Sequence, residues 1–398
     1  MPRRIATLVL ASVLTFGLAS CDAEEEQAAS APVGEAFYAP PKDLSQYQHG
    51  DLIWSRESDS DLGDGAATNS LVLYAQEGLG RKTVGTSGFV SVPDGKAPAG
   101  GWPVVTWAHG TTGIADQCAP TRLDVSDAPA NSGAALTVDQ LNRWLDAGYA
   151  VVGTDYEGLG TPGVHPYLIG SSEGKAVLDI VTAARELNPD ISNRVLVAGH
   201  SQGGHAALWA TSLAPYYARD LDIVGTVAIA PPSHLSLAAE VALSGEVNVP
   251  AGFVAMILMG LETAYPGKVP IEDLVNERGQ KLMPKTLEAC ATELFEKQNF
   301  GQTPMRKMAK VGADPAKVKD LLDSNDPRFP TIAGPILIVQ GTADSVVPMV
   351  LTDTLAKAYT QRGFDVQYKK YRGDEHSPVI AVAARQIGAF TEAVFSDN

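Results

Sequence analysis

Gly199-His200-Ser201-Gln202-Gly203 sets one serine between two glycines in the pattern G-x-S-x-G. The flanks give the pattern its meaning. Val195 to Ala198 is a short apolar run that reads as a buried strand, and Gly204-His-Ala-Ala-Leu-Trp-Ala210 opens a helix. A strand, a sharp turn and a helix with serine at the turn expose a hydroxyl for nucleophilic attack. The backbone at Ser201 is expected to be strained, so a side chain at 199 or 203 would strike the neighbouring strand or helix. Attack on an acyl carbon also needs a base, an acid to fix that base, and N–H donors for the oxyanion.

When a serine of this kind follows a mid-chain strand, the acid and the histidine come later, each just after a strand. Of the seven histidines only His376, in Arg372-Gly-Asp-Glu-His-Ser-Pro378, follows the late strands. His49, His109 and His165 precede the serine, His200 and His205 flank it too closely, and His234 opens a different region. The acid is read as Asp344, in Gln340-Gly-Thr-Ala-Asp-Ser-Val-Val-Pro348, directly after an apolar strand. Asp374 is the rival, but it stands two residues from the histidine. The oxyanion donors are read as the N–H of Gln202 and that of Thr111, in the loop His109-Gly-Thr-Thr-Gly113. His109 and His205 are read as packed residues rather than chemical ones.

These residues need a frame. Leu52-Ile-Trp54, Ser70 to Tyr74 and Thr83 to Val92 read as antiparallel strands broken by Gly- and Pro-containing turns. From Pro103 the rhythm becomes strand, loop, helix. Strands are expected over 104–108, 149–153, 195–198, 222–229, 335–340 and 366–371. Helices are expected over 137–147, 174–187, from 204, over 350–361 and over 378–395. The 174–187 helix has apolar positions at 177, 178, 180, 181 and 184 and a cap expected from Ser171–Ser172. The alternation implies an α/β fold: a mostly parallel sheet with helices on both faces and an antiparallel edge. It is interrupted over 232–331, too long for a loop and helical in tendency, which reads as an inserted cap.

Two stretches bear on the substrate. Asp155-Tyr-Glu-Gly-Leu-Gly160 leaves a strand at the same sheet edge as the serine; it reads as a pocket wall carrying Tyr156, or equally as a surface loop. The uncharged run 251–261 reads as a buried helix of the cap, or as an acyl-binding wall in which Phe253 and Met256 meet the substrate.

The N-terminus reads as a processing signal. Arg3 and Arg4 precede the apolar run Ile5 to Ala19, and Leu18-Ala19-Ser20-Cys21 resembles a lipobox. The expectation is a signal peptide over 1–20 and a lipidated Cys21, leaving an exported, membrane-anchored lipoprotein on a periplasmic or cell-surface face. A flexible acidic tether is expected over 21–45 and the folded domain over 46–398. Of the three cysteines, Cys118 and Cys290 then remain: an even pair suggests one disulfide, though two buried thiols would read the same. A net charge of −16 makes nucleic acid a poor ligand. Histidine and cysteine spacing matches no metal site and no G-x-G-x-x-G follows a strand, so neither metal nor cofactor is expected.

Together, Trp107-Ala-His-Gly-Thr-Thr-Gly113 with Cys118-Ala-Pro120, Gly153-Thr-Asp-Tyr-Glu-Gly-Leu-Gly160, the serine pentapeptide, Gln340-Gly-Thr-Ala-Asp344 and Gly373-Asp-Glu-His376 resemble the secretory lipase family of the α/β-hydrolase superfamily. The resemblance runs from about 50 to the C-terminus. It implies a cofactor-free esterase or lipase with a helical cap and an apolar acyl chain in its substrate. A serine peptidase of the prolyl-oligopeptidase kind shares the order of the triad but carries a propeller domain, for which this chain has no room. A binding lipoprotein on a retired site is the third reading.

Overall fold

The structure, a computed structural model, describes residues 31–396 apart from 59–61, 63–64 and 245–248. The expected leader 1–20, Cys21 and the start of the tether lie outside the described residues. The order of strands in the sheet is β1 (Leu52–Glu57), β2 (Thr68–Glu77), β3 (Thr83–Val92), β5 (Ala150–Thr154), β4 (Trp102–Ala108), β6 (Ile191–His200), β7 (Asp222–Ile229), β8 (Ile336–Gly341) and β9 (Val366–Tyr371). The pairings β1–β2, β2–β3 and β3–β5 are antiparallel. Every pairing from β5 to β9 is parallel.

Side chains on a strand alternate between faces, and the sequence uses both. Val104, Val152, Val195 and Val197 face one core, against helices α2 (Gly170–Leu187) and α3 (Gln202–Tyr217). Val105, Trp107, Val151 and Leu196 face the other, against α1 (Gly133–Asp146) and the C-terminal helix Ala384–Ser396. Covering both faces explains why the central strands are apolar runs rather than alternating ones. Between β7 and β8 the chain forms α4 (Leu235–Ser244), α5 (Ala251–Ala264) and a series of short turns with a separate core that includes Met256, Leu258, Leu261 and Phe300. Among the described residues, no helix is long and apolar enough to cross a membrane.

Two local expectations change. The packed chain starts well before 46: Gly34–Tyr38 forms a 3-10 turn whose Phe37 is buried against Leu71 and Leu73. Tyr38 donates to the Thr121 carbonyl at 3.1 Å, and the Arg122 guanidinium lies 3.8 Å over its ring. Phe37 and Tyr38 are thus anchored to the sheet, and a tether reaching 45 is too long. Helix α2 starts at Gly170, not 174, and the Ser171–Ser172 cap is not used. Asn325 Oδ1 takes the Gly170 N–H at 3.0 Å instead, so the cap comes from a residue 155 positions away.

Candidate active site

Strand β6 delivers Ser201 to its C-terminal end, and α3 begins at the next residue. Ser201 has φ 56° and ψ −121°, a conformation costing about 1–3 kcal/mol in a residue with a side chain. Its N–H donates to Ile229 O at 2.8 Å and its carbonyl accepts from the His205 N–H at 3.1 Å, which holds the turn. A Cβ at Gly203 would overlap the Ala108 carbonyl, and one at Gly199 would overlap the Gly203 carbonyl. Backbone therefore passes on both sides of the serine. The hydroxyl has no hydrogen-bond partner among the described residues.

Asp344 sits in the loop after β8. Its Oδ1 accepts the N–H groups of Val346 and Val347, both at 2.8 Å, and its Oδ2 accepts Gln340 Nε2 at 2.9 Å and faces His376 Nδ1 at 2.7 Å. Burial pushes this carboxyl up, but the bond and charge of His376 and the two N–H groups outweigh it and hold the group below its usual value. With Nδ1 donating to the carboxylate, His376 Nε2 is left to accept a proton. Asp374, the rival acid, contributes its backbone instead: its carbonyl packs where a side chain on Gly341 would go, so the loop carrying His376 crosses close over the end of β8.

The residue that locks this loop beside the serine is His200, which sequence reasoning set aside. Its Nε2 donates to the His376 carbonyl at 3.0 Å and the two rings lie 4.6 Å apart. Burial, with the neighbouring His376 charge, lowers its pKa to about 3, so it stays neutral and acts as a strut. Ser201 and His376 are thus neighbours through His200, while no hydrogen bond joins Ser201 to His376. Such bonds often close only around substrate.

The third component follows β4. The His109 ring packs 4.4 Å from Tyr156, and its Nδ1 donates to Gly110 O at 2.7 Å; burial lowers its pKa to about 4. Thr111 Oγ1 is tied to the Tyr167 hydroxyl at 2.7 Å. The N–H groups of Thr111 and Gln202 have no acceptor among the described residues, which is the state expected of donors kept for a ligand oxygen. Cys118 and Cys290 form a disulfide, and the Ala291 N–H donates to Thr112 O at 2.8 Å, so this loop is fastened to the helical insertion.

The substrate-facing residues fall differently. Tyr156 is fully buried, donates to the His109 carbonyl at 3.0 Å and stacks on His165 at 5.4 Å. It braces the loop that holds Thr111 from behind and lies in the core rather than on a pocket surface. Met256 has no exposed surface and belongs to the core of the insertion. Phe253 is half-buried and packs on Phe295 at 4.9 Å. Beneath the serine His205 is packed as expected, in a set of buried polar residues with Glu173, His165 and Asn325; the sequence reading gave Glu173 and Asn325 no part, since pattern alone does not connect them.

Asp155, beside Tyr156, is another buried carboxylate. It accepts from Ser87 Oγ at 2.6 Å and from the Thr121 N–H at 3.0 Å, yet burial outweighs these bonds and raises its pKa to about 6. Between the ordinary value of 3.8 and about 6 the folded chain holds a proton that the unfolded chain has released. This group therefore costs stability as pH rises through that window, by about 3 kcal/mol in full. Asp155→Asn is expected to be more stable than the parent at pH 7 by roughly that amount and close to it at pH 4. Urea unfolding at both pH values checks this; equal midpoints at pH 7 would remove the argument.

The sheet order, the strained serine at the end of β6 and the Asp–His pair beyond β8 and β9 define an α/β-hydrolase. The model of the secretory lipase family matches residues 131–392, about two thirds of the chain. The chain belongs to that family. Lipase A of Moesziomyces aphidis is 30% identical over 258 residues, 63% of this chain and 54% of the relative, so the chain spans about half of that protein's length. A Mycobacterium tuberculosis protein named a probable inactive lipase is 26% identical over 87% of this chain and 78% of its own. Candida antarctica lipase A in its closed state shares the fold at TM-score 0.75 and 22% identity, over 92% of this chain and 87% of that one.

Proposed function

We propose that this chain cleaves carboxylic esters through a covalent acyl-enzyme on Ser201. Ser201 Oγ attacks the ester carbonyl while His376 Nε2 takes its proton. The oxyanion is held by the N–H groups of Thr111 and Gln202. His376 returns the proton to the departing alcohol, and water then releases the acid by the same steps in reverse order. Asp344 keeps the Nδ1–H tautomer and offsets the imidazolium charge. The observation that carries this reading is the His376–Asp344 bond at 2.7 Å, which points the free ring nitrogen away from the acid beside an elbow serine.

The insertion over 232–331 serves in this reading as a cap over the ester, with the apolar surface near Phe253 receiving the acyl chain. Export fits the description of the family as secretory. Cys21 is proposed as the lipidated anchor that would hold the enzyme at a membrane.

The test is a chemical trap. Wild-type protein treated with an alkyl fluorophosphonate and digested is expected to carry the adduct on the peptide containing Ser201, with loss of p-nitrophenyl ester turnover in proportion. Turnover across C2 to C16 esters then reports acyl length. An adduct elsewhere, or preference for a peptide amide over every ester, would overturn the ester reading. Absence of both adduct and turnover would favour the retired-site reading, to which the name of the mycobacterial relative gives weight.

A further inference from the structure

Beneath Ser201 lies a fully buried carboxylate that the triad does not use. Glu173 stands in the first turn of α2. Its Oε1 accepts the Leu168 N–H and Gln202 Nε2, both at 2.8 Å, and its Oε2 faces His205 Nδ1 at 3.0 Å. Gln202 and His205 are the first and fourth residues of α3, so one side chain grips the whole turn that follows the serine.

The hydrogens in this cluster can be assigned by what each partner is able to do. His165 Nδ1 faces Glu157 O at 2.9 Å; a carbonyl only accepts, so Nδ1 carries the hydrogen and Nε2 a lone pair. Gln202 Nε2 is 2.8 Å from that lone pair and 2.8 Å from Glu173 Oε1. Both amide hydrogens are therefore spent, and rotating the amide would aim its oxygen at two acceptors. The orientation costs something: Gln202 Oε1 is buried without a partner. His205 Nε2 faces Asn325 O at 2.7 Å and must be protonated, which leaves one proton between Nδ1 and Glu173 Oε2.

We infer that Glu173 is a positioning residue: through the side chain of Gln202 it fixes the backbone N–H of Gln202 as an oxyanion donor. This rests on the proposal that Gln202 is such a donor. Preorganised donors matter because displacement of about 1 Å can cost about 10²-fold, and loss of one donor 10²–10³-fold in kcat. Geometry, not charge, is the requirement. A glutamine at 173 can accept both N–H groups on its oxygen and donate its amide hydrogen to His205 Nδ1, with His205 neutral and its Nε2–H still on Asn325 O. Leucine at 173 has nearly the same size and can do none of this.

The experiment compares wild type, Glu173→Leu, Glu173→Gln and Ser201→Ala on one short p-nitrophenyl ester, well below each variant's melting temperature. A second readout is inhibition by an alkyl trifluoromethyl ketone. Ser201 Oγ adds to its carbonyl carbon, the C=O pair moves to oxygen and the serine proton moves to His376, so affinity reports the oxyanion donors. Glu173→Leu is expected to lose about 10–100-fold in kcat with KM within about two-fold, and to lose ketone affinity by a similar factor. Glu173→Gln is expected to restore both to within about three-fold. Destabilisation alone would not move ketone affinity and kcat together in the folded fraction. Wild-type kcat in folded Glu173→Leu, or a Glu173→Gln as impaired as the leucine variant, overturns the inference. If Glu173→Leu does not fold, Gln202→Leu removes the clamp from its other end while keeping the backbone N–H, and wild-type kcat there overturns it equally. Turnover that survives in Ser201→Ala would instead defeat the nucleophile reading.

Discussion

Ser201→Ala is expected to lower kcat on a short p-nitrophenyl ester by about 10⁴–10⁶-fold while leaving KM and the melting temperature near those of the parent. The size follows from the role. Removing Oγ abolishes the covalent path and leaves whatever binding and the oxyanion donors give to attack by water. The small effect on stability follows from the structure: the hydroxyl has no hydrogen-bond partner among the described residues, and alanine keeps the same positive φ of 56°. Ser201→Gly is a useful companion, because it removes the same hydroxyl and also relieves the strain, and should melt higher than the alanine variant. Steady-state rates on protein purified away from host esterases decide the matter. A residual rate above about 1% would mean that another group is the nucleophile.

A second large effect is expected at Gly203. Gly203→Ala should prevent accumulation of folded protein, or cost more than about 4 kcal/mol if any folds. The added methyl would overlap the Ala108 carbonyl and lie 2.8 Å from the His109 carbonyl. Neither can retreat. Ala108 is paired to β5 through Thr154 and to β6 through Gly199, so moving it breaks the parallel register on both sides at once. The same chemical change at Gly388, inside the C-terminal helix with nothing within 4 Å of the added atom, should stabilise by about 0.5–1 kcal/mol. Soluble yield and thermal midpoint of the two variants, measured side by side, provide the check. A folded Gly203→Ala melting within a few degrees of the parent would show that the elbow is less crowded than these contacts require.

The parallel part of the sheet was legible because its strands are apolar on both faces and its connections carry helical periodicity. Val104 and Val105, adjacent in sequence and facing opposite cores, show the pattern at its smallest. The glycines around Ser201 were legible for a steric reason that holds in any chain with this turn. Less could be read where the deciding partner is remote. Local reasoning capped α2 with its own serines, whereas Asn325 does so from the far end of the insertion. Tyr156 stood at the correct sheet edge, but its direction depends on His109 and His165, and no spacing rule says which way a loop tyrosine turns. Met256 lay in a run whose two readings, core and wall, have the same composition. Glu173 stood one residue before the helix that its apolar positions marked out, in a turn the structure adds to α2. Two of its three partners, Gln202 and His205, come from the separate helix α3.

The link between Cys118 and Cys290 has a mechanical consequence. It joins the segment after β4 to the insertion, and around it Gln117 Nε2 donates to Glu288 O at 2.7 Å and Ala291 N–H to Thr112 O at 2.8 Å. A rigid corner of this kind can serve as a pivot but not as a gap. Any movement of the insertion relative to the sheet is therefore held at this corner. The loop holding Thr111 then travels with neither partner alone.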